Sequence, residues 1–232
     1  MVRWGLMNMT TLAAPPTSQP PAAPTIDTLA DLVERLGHVS LDRIRFHPPP
    51  GTATEKDVLE SGERGVMCEL VDGVLVEKPM GYNKSALAAY LITQLNLFIL
   101  PRNLGVVTGE QGTVRLFAGL VRIPDVAFTS WDRHPGRRMP RDPIPQLAPN
   151  LAVEVLSRSN TPEEMARKRR DYFTAGVRLV WLADPVGRTV DVYTSETQFS
   201  RLTVADVLDG GTVLPGFQLP LREWFGELDR QG

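Results

Sequence analysis

The sequence predicts an α/β domain with a mixed sheet flanked by helices, and three features carry that expectation. Apolar strand patterns and amphipathic helix patterns alternate along the chain instead of segregating. "MCELVDGVLVEKP" (67–79) sets two alternating strands on either side of Asp72-Gly73, the pair favoured by a type I′ hairpin turn. "SNTPEEMARKRRDYFTAGV" (159–177) has a full set of helix markers: Thr161 as N-cap, Pro162 at the first position, Glu163 and Glu164 at the positive end of the dipole, and Gly176 at the stop.

The other elements follow in order. Residues 1–25, with "AAPPTSQPPAAPT", form an extended Ala/Pro-rich tail, and one domain spans 26–232. Asp27 or Thr28 caps a helix with Leu29, Leu32, Val33 and Leu36 on one face, stopped by Gly37. A short extended piece, a rigid Pro turn and one helical turn capped by Thr54 lead to the hairpin. A helix over 84–100 ends at Pro101, and strands near 105–109 and 113–117 precede the strand "LVRIPDVAFTS" (120–130). Residues 130–150 are too Pro-rich for an element and read as a long functional loop. "LAVEVLS" (151–157) and "RLVWLAD" (178–184) are buried strands, and "RTVDVYT" is an alternating edge strand. A strand or two and a short helix near 220–228 close the chain.

Bulk composition excludes several classes. The 232 residues are 42% hydrophobic and 22% charged, enough for a sizeable core. A net charge of -2 argues against a generally basic nucleic-acid coat while leaving room for a local patch. Cys68 is the only cysteine, so no intramolecular disulfide can form. The three histidines, His38, His47 and His134, are too scattered for a zinc site. No stretch has the ~18–20 apolar residues of a membrane span, and the N-terminus lacks the layout of a signal peptide. The expectation is a cytoplasmic protein without a membrane partner.

The anomaly lies in the strands. Asp125, Glu154 and Glu69 each interrupt an apolar run, and carboxylates are rarely buried unless paired or bound. Alternation puts Asp125 on a face with Ile123 and Ala127, and Glu154 on one with Ala152 and Leu156. If the two strands are neighbours, the carboxylates lie side by side. Three converging carboxylates repel one another, a conflict that a hard cation held by oxygen ligands resolves. An acid in a strand can equally be the partner of an arginine, with Arg122 and Arg178 the candidates here.

"PD" followed about thirty residues later by "VEVLS" resembles the PD-(D/E)XK nuclease superfamily. The ordered blocks "CELVDGVLVEKP", "VRIPDVAF", "LAVEVLS" and "AGVRLVWLADP" resemble the Uma family, catalogued as "putative restriction endonucleases". The resemblance implies a restriction-endonuclease-like core, αβββαβ. It implies that Glu69, Asp125 and Glu154 are the acidic catalytic positions and hold Mg²⁺, for which Mn²⁺ can substitute. It also implies a nucleic-acid partner, DNA above RNA. Where the general motif has a lysine, two residues after the second acid, this chain has Leu156. The Uma pattern instead places the lysine on the following helix, at Lys168. Met165, Lys168 and Tyr172 share one helical side, so Lys168 lies at the margin of the buried face, with Tyr172 supporting; an i,i+4 pair with Glu164 is the alternative for Lys168.

Arg133, Arg137, Arg138 and Arg141 in the 130–150 loop, with Arg169 on the helix, are the nucleic-acid-binding candidates, since arginine forks suit phosphates. Arg158, Arg167, Arg170 and Lys84 could extend this rim, and a homodimer is the default for cutting both strands. Two functions follow: a metal-dependent endonuclease, or a nuclease fold without turnover that binds nucleic acid or a protein partner, which the residue at 156 favours.

Overall fold

In a computed structural model, residues 27–231 are described, and the tail read over residues 1–25 lies outside them. The chain begins with α1 (Leu29–Arg35), capped by Thr28: its hydroxyl accepts from Asp31 N at 3.1 Å while the Asp31 carboxylate accepts from Thr28 N at 2.9 Å. After β1 (Ile44–Arg45), α2 (Glu55–Glu63) runs to nine residues, longer than the single turn expected. Thr54 N–H and hydroxyl both donate to Asp57 at 2.7 Å there, securing the first turn.

The hairpin forms as expected from β2 (Cys68–Val71) and β3 (Val74–Glu77). Asp72 and Gly73 have φ of 52° and 74°, the left-handed pair of a type I′ turn. Next come α3 (Tyr82–Ile99), β4 (Gly105–Thr108), β5 (Val114–Phe117), β6 (Leu120–Arg122) and β7 (Val126–Ser130). The single strand expected over 120–130 is thus two strands. Pro124 has no N–H to continue the ladder, and the chain uses that break to change sheets, with β6 pairing β2 and β7 pairing β8 (Leu151–Val155).

Beyond α4 (Pro162–Thr174) lie β9 (Leu179–Asp184), β10 (Thr189–Tyr193), β11 (Phe199–Thr203), β12 (Val207–Gly210), β13 (Leu214–Pro220) and α5 (Leu221–Gly226). β10 is not the edge expected: β11 covers it, and the C-terminal segment has three strands, not one or two. One antiparallel sheet runs β1-β3-β2-β6-β5, and a mixed sheet runs β11-β10-β9-β8-β7-β4, parallel only between β8 and β9. The expected αβββαβ order appears as α3, β4, β7, β8, α4, β9, with β5 and β6 departing to the other sheet.

Leu87, Leu91 and Leu95 recur at helical spacing on α3 and pack on Val126, Phe128, Leu151, Val153 and Val155. Each fully buried leucine contributes about 1.5–3 kcal/mol. The alternate residues of β8 turn toward α4, where Ala152 packs with Met165 and Tyr172. That alternation aims Glu154 at α4. Among the described residues, no helix is long and apolar enough to cross a membrane.

Candidate active site

Asp125 sits where the chain passes from one sheet to the other. Its N–H donates to Val153 O at 3.0 Å, and its Oδ2 accepts from Val155 N at 2.7 Å. The register of β7 and β8, Val126 opposite Val153 and Ala127 opposite Ala152, continues to set Asp125 across from Glu154. Cross-strand neighbours have Cβ atoms about 4.5–5.5 Å apart. The continued register makes the two acids cross-strand neighbours.

Asp125, Glu154 and Glu69 are 0%, 3% and 1% exposed. Carboxylates that deep require charge partners, and the partners come from four separate elements. Lys78, just past β3, lies 2.5 Å from Asp125 Oδ1 and donates to the Ile123 carbonyl. Lys84, in the first turn of α3, lies 3.0 Å from Asp125 Oδ2. Arg122 of β6 donates to Glu69 Oε2 at 2.7 Å and also pairs with Asp171. Lys168 of α4 donates to Glu69 Oε1 at 2.9 Å and to Glu154 Oε1 at 3.3 Å, and Tyr172 donates to the same Glu154 oxygen at 2.6 Å.

Lys78, Lys84, Lys168 and Arg122 therefore stand against Glu69, Asp125, Glu154 and Asp171. The expectation of a self-repelling acid cluster is corrected: lysines and an arginine already compensate the charge. Burial by itself would raise the Glu69 carboxyl, but Lys168, Arg122 and Lys78 overcome it and hold the group well below the usual carboxylate range. Asp125 is likewise lowered, its burial outweighed by Lys78 and Lys84. For Lys168, burial opposes the charge, while Glu154, Glu69 and Glu164 reverse the effect and hold the ammonium above the usual lysine range. Lys84 goes the other way: burial pulls it below the ordinary lysine value and Asp125 restores only part.

Among the described residues, no three acid, histidine or cysteine side chains are grouped to hold an ion. Glu69 already accepts three hydrogen bonds, Oε2 from Arg122 and Oε1 from both Ile123 N, at 3.1 Å, and Lys168. It fits a positioning role, not that of a ligand. Asp125 is ion-paired through both oxygens, Oδ1 with Lys78 at 2.5 Å and Oδ2 with Lys84 at 3.0 Å, and Oδ1 has no further hydrogen-bond partner. A cation held by two carboxylates would use Asp125 and Glu154, and it would take the place of a lysine ammonium now paired with Asp125.

A cleft of about 780 Å³ lies over this centre: Lys84, the partner of Asp125, and Leu156 line it, while the three acids do not. Tyr82, Arg158, Asn160 and Asp184 line it as well.

Comparison with known proteins places the chain. A family model described as "Putative restriction endonuclease", Uma2, matches residues 54–222. The chain belongs to the Uma2 family. The matched span runs from the cap of α2 into α5 and contains every acid and lysine of the centre. A solved structure titled as a putative nuclease belonging to DUF820, from Anabaena variabilis ATCC 29413, is similar in fold. It has a TM-score of 0.63 and 20% identity, over 74% of this chain and 98% of that one. No curated protein matches.

Within this Uma2 chain, the remaining sequence candidates separate. Lys168 is 2% exposed, deeper than the margin expected, and Glu164 is not its main partner. Glu164 instead takes a bidentate pair from Arg43 at 2.9 and 2.7 Å. The 130–150 loop leaves at Ser130 and returns at Asn150, the ends of β7 and β8 away from Asp125 and Glu154. Strands of five residues span about 16 Å, so that loop starts and ends far from the acids. Arg133 is structural, donating to Ala148 O at 2.8 Å, Pro149 O at 2.9 Å and Gly176 O at 2.5 Å. Arg137, Arg138 and Arg141 are exposed, Arg137 pairing with Asp132 at 3.3 Å. Arg169 stacks over Tyr193 at 4.3 Å and donates to Glu196 O at 2.6 Å, which explains its place on the buried side of α4.

Sequence reasoning assigned no role at the acids to Lys78 and placed Lys84 only on an outer rim. The available signal was a surplus of buried acids over identified cations, with two lysines flanking the Pro79 turn after the hairpin.

Proposed function

We propose that this chain is a metal-dependent nuclease that hydrolyses phosphodiester bonds, with DNA, the substrate of restriction endonucleases, as its nucleic acid. One observation carries the reading: Asp125 directly precedes β7, where the β7–β8 register continues to Glu154, and Lys84, paired with Asp125, lines a cleft. Asp125 and Glu154 would hold Mg²⁺ or Mn²⁺. When bound, such an ion polarises the phosphate and lowers the pKa of a coordinated water. The chain's own groups do the rest. Lys168 and Tyr172 grip Glu154 Oε1 and fix the carboxylate's orientation. Glu69, tied to Lys168, Arg122 and Ile123 N, braces that grip.

Lys84 lines the cleft beside Leu156 and is the cation positioned to meet a phosphate oxygen. It supplies in space the positive charge that the general motif supplies at the position of Leu156. Arg158, exposed on the same cleft, adds a fork for the neighbouring phosphate.

A second reading has its own observation: the acids are already compensated, four cations to four anions. A fold retained for binding without turnover would have that property. Incubating purified full-length chain with supercoiled duplex and circular single-stranded DNA separates the two. The nuclease reading expects cleavage with Mg²⁺ or Mn²⁺, none with EDTA, and loss in Asp125→Asn. Binding of DNA with no cleavage under any metal would establish the second reading instead.

A further inference from the structure

The acids lie too deep for a rigid duplex to bring its backbone to them. Asp125 is completely buried, Glu154 is 3% exposed, and Lys84, the cation that reaches the cleft, is itself 7% exposed. A phosphate on a stacked duplex is held on a stiff cylinder and cannot reach far inward. A phosphate on an unpaired strand can, because its backbone is free to bend inward.

The surface around the recess is built differently from a duplex-binding face. Tyr82, at the start of α3, is 90% exposed and lines the same cleft as Lys84. Met80 and Val186, 71% and 83% exposed, flank it there. Large apolar groups left in water at the mouth of one recess mark a binding surface. A second hollow of about 420 Å³ adjoins the first: Leu156, Ser157 and Asn160 line both, and Arg169 and Arg201 line the far one. Asn160 Oδ1 accepts from both the backbone N–H and the hydroxyl of Ser157 at 2.9 Å, which stiffens the saddle between the hollows. The two hollows thus bring together Tyr82, Arg158 and Lys84, the partner of Asp125, in the first, and Arg169 and Arg201 in the second.

Resting on the nuclease reading above, we infer that the substrate is an unpaired nucleic-acid strand lying along these two hollows, with one base stacked on Tyr82 and the following phosphates passing Arg158 and Arg169. Stacking on an exposed aromatic ring is the way proteins hold single strands without reading their sequence. Tyr82 is then a substrate-positioning residue for the scissile phosphate.

Fluorescence anisotropy of the full-length chain in EDTA tests this without relying on cleavage. The probes are a labelled 20-nucleotide single strand and a blunt hairpin duplex containing the same sequence. The single strand should bind at least about 10-fold more tightly than the duplex. Tyr82→Ala should weaken single-strand binding by about 10-fold, as expected for one lost stacking contact, with Tyr82→Phe retaining it. Arg158→Ala should flatten the dependence of log affinity on log salt by about 0.7, the value for one phosphate on a single strand. Because Tyr82 lies almost wholly in solvent, the variant tests contact, not folding. Equal affinity for the two probes, unchanged binding in Tyr82→Ala, or no binding to either overturns the inference. Duplex cleavage by the metal-loaded chain without single-strand preference would leave the nuclease reading standing while removing this one. Tyr82-dependent strand binding with no cleavage would do the reverse.

Discussion

Replacing Lys168 by Met isolates the charge at the centre of the network, because Met keeps most of the aliphatic stem. Lys168 is 2% exposed and joins Glu69 to Glu154 at 2.9 and 3.3 Å. Removing one member of a buried pair costs about 3–5 kcal/mol. Here the lower end applies: Glu69 keeps Arg122 and the Ile123 N–H, and Glu154 keeps the Tyr172 hydroxyl. A loss of about 3 kcal/mol corresponds to a fall in Tm of about 6–12 °C for a chain of this size. Calorimetry and urea unfolding at pH 7 measure it.

The pH dependence gives a second readout. The Glu69 carboxyl is lowered in the folded state from 4.5, so its contribution is present above that value and fades as pH falls below it. Lys168 is raised from 10.5, so its contribution is complete below that value and is lost as pH rises through the folded value. The deficit of Lys168→Met should therefore be widest between about pH 5 and 10 and narrow on both sides. Adding Glu154→Gln should recover part of it by removing the uncompensated charge. A deficit under about 1 kcal/mol at pH 7, or one independent of pH, refutes the buried-network account.

Arg137→Ala combined with Arg138→Ala should change stability by no more than about 0.5 kcal/mol, and should leave DNA affinity and cleavage near normal in anisotropy and gel assays. Gly73→Ala should destabilise by more than about 1 kcal/mol in urea, because φ is +74° and a Cβ would meet Gly51 backbone atoms at 2.6 Å. Glu164→Ala should cost about 3–5 kcal/mol by leaving Arg43, 5% exposed, without its carboxylate, measurable as a shift in urea midpoint.

The legible parts of the fold were those with local causes. The hairpin turn at Asp72-Gly73, the capped start of α4 at Thr161, and the alternation that puts Glu154 with Ala152 are each settled within a few residues. The break at Pro124 was visible as a residue yet not as a change of sheet, because which partner each half pairs with is decided by strands far away in sequence. Asp125 and Glu154 stood out because an acid in an apolar run is costly. Their compensation did not, since Lys78, Lys84, Arg122 and Lys168 come from four elements and a lysine beside a turn looks solvated. The arginines of the 130–150 loop show the converse limit. Composition gives charge, whereas the direction of β7 and β8 decides at which end of the sheet that charge begins.

The central claim is that Asp125 and Glu154, and not Glu69, are the carboxylates available to a cation. Titration of Mn²⁺ into the folded chain by isothermal calorimetry tests it most directly, with circular dichroism confirming that each variant is folded. The account predicts an Mn²⁺ site lost in Asp125→Asn and in Glu154→Gln and retained in Glu69→Gln. Unchanged Mn²⁺ binding in Asp125→Asn, or loss in Glu69→Gln alone, would contradict it.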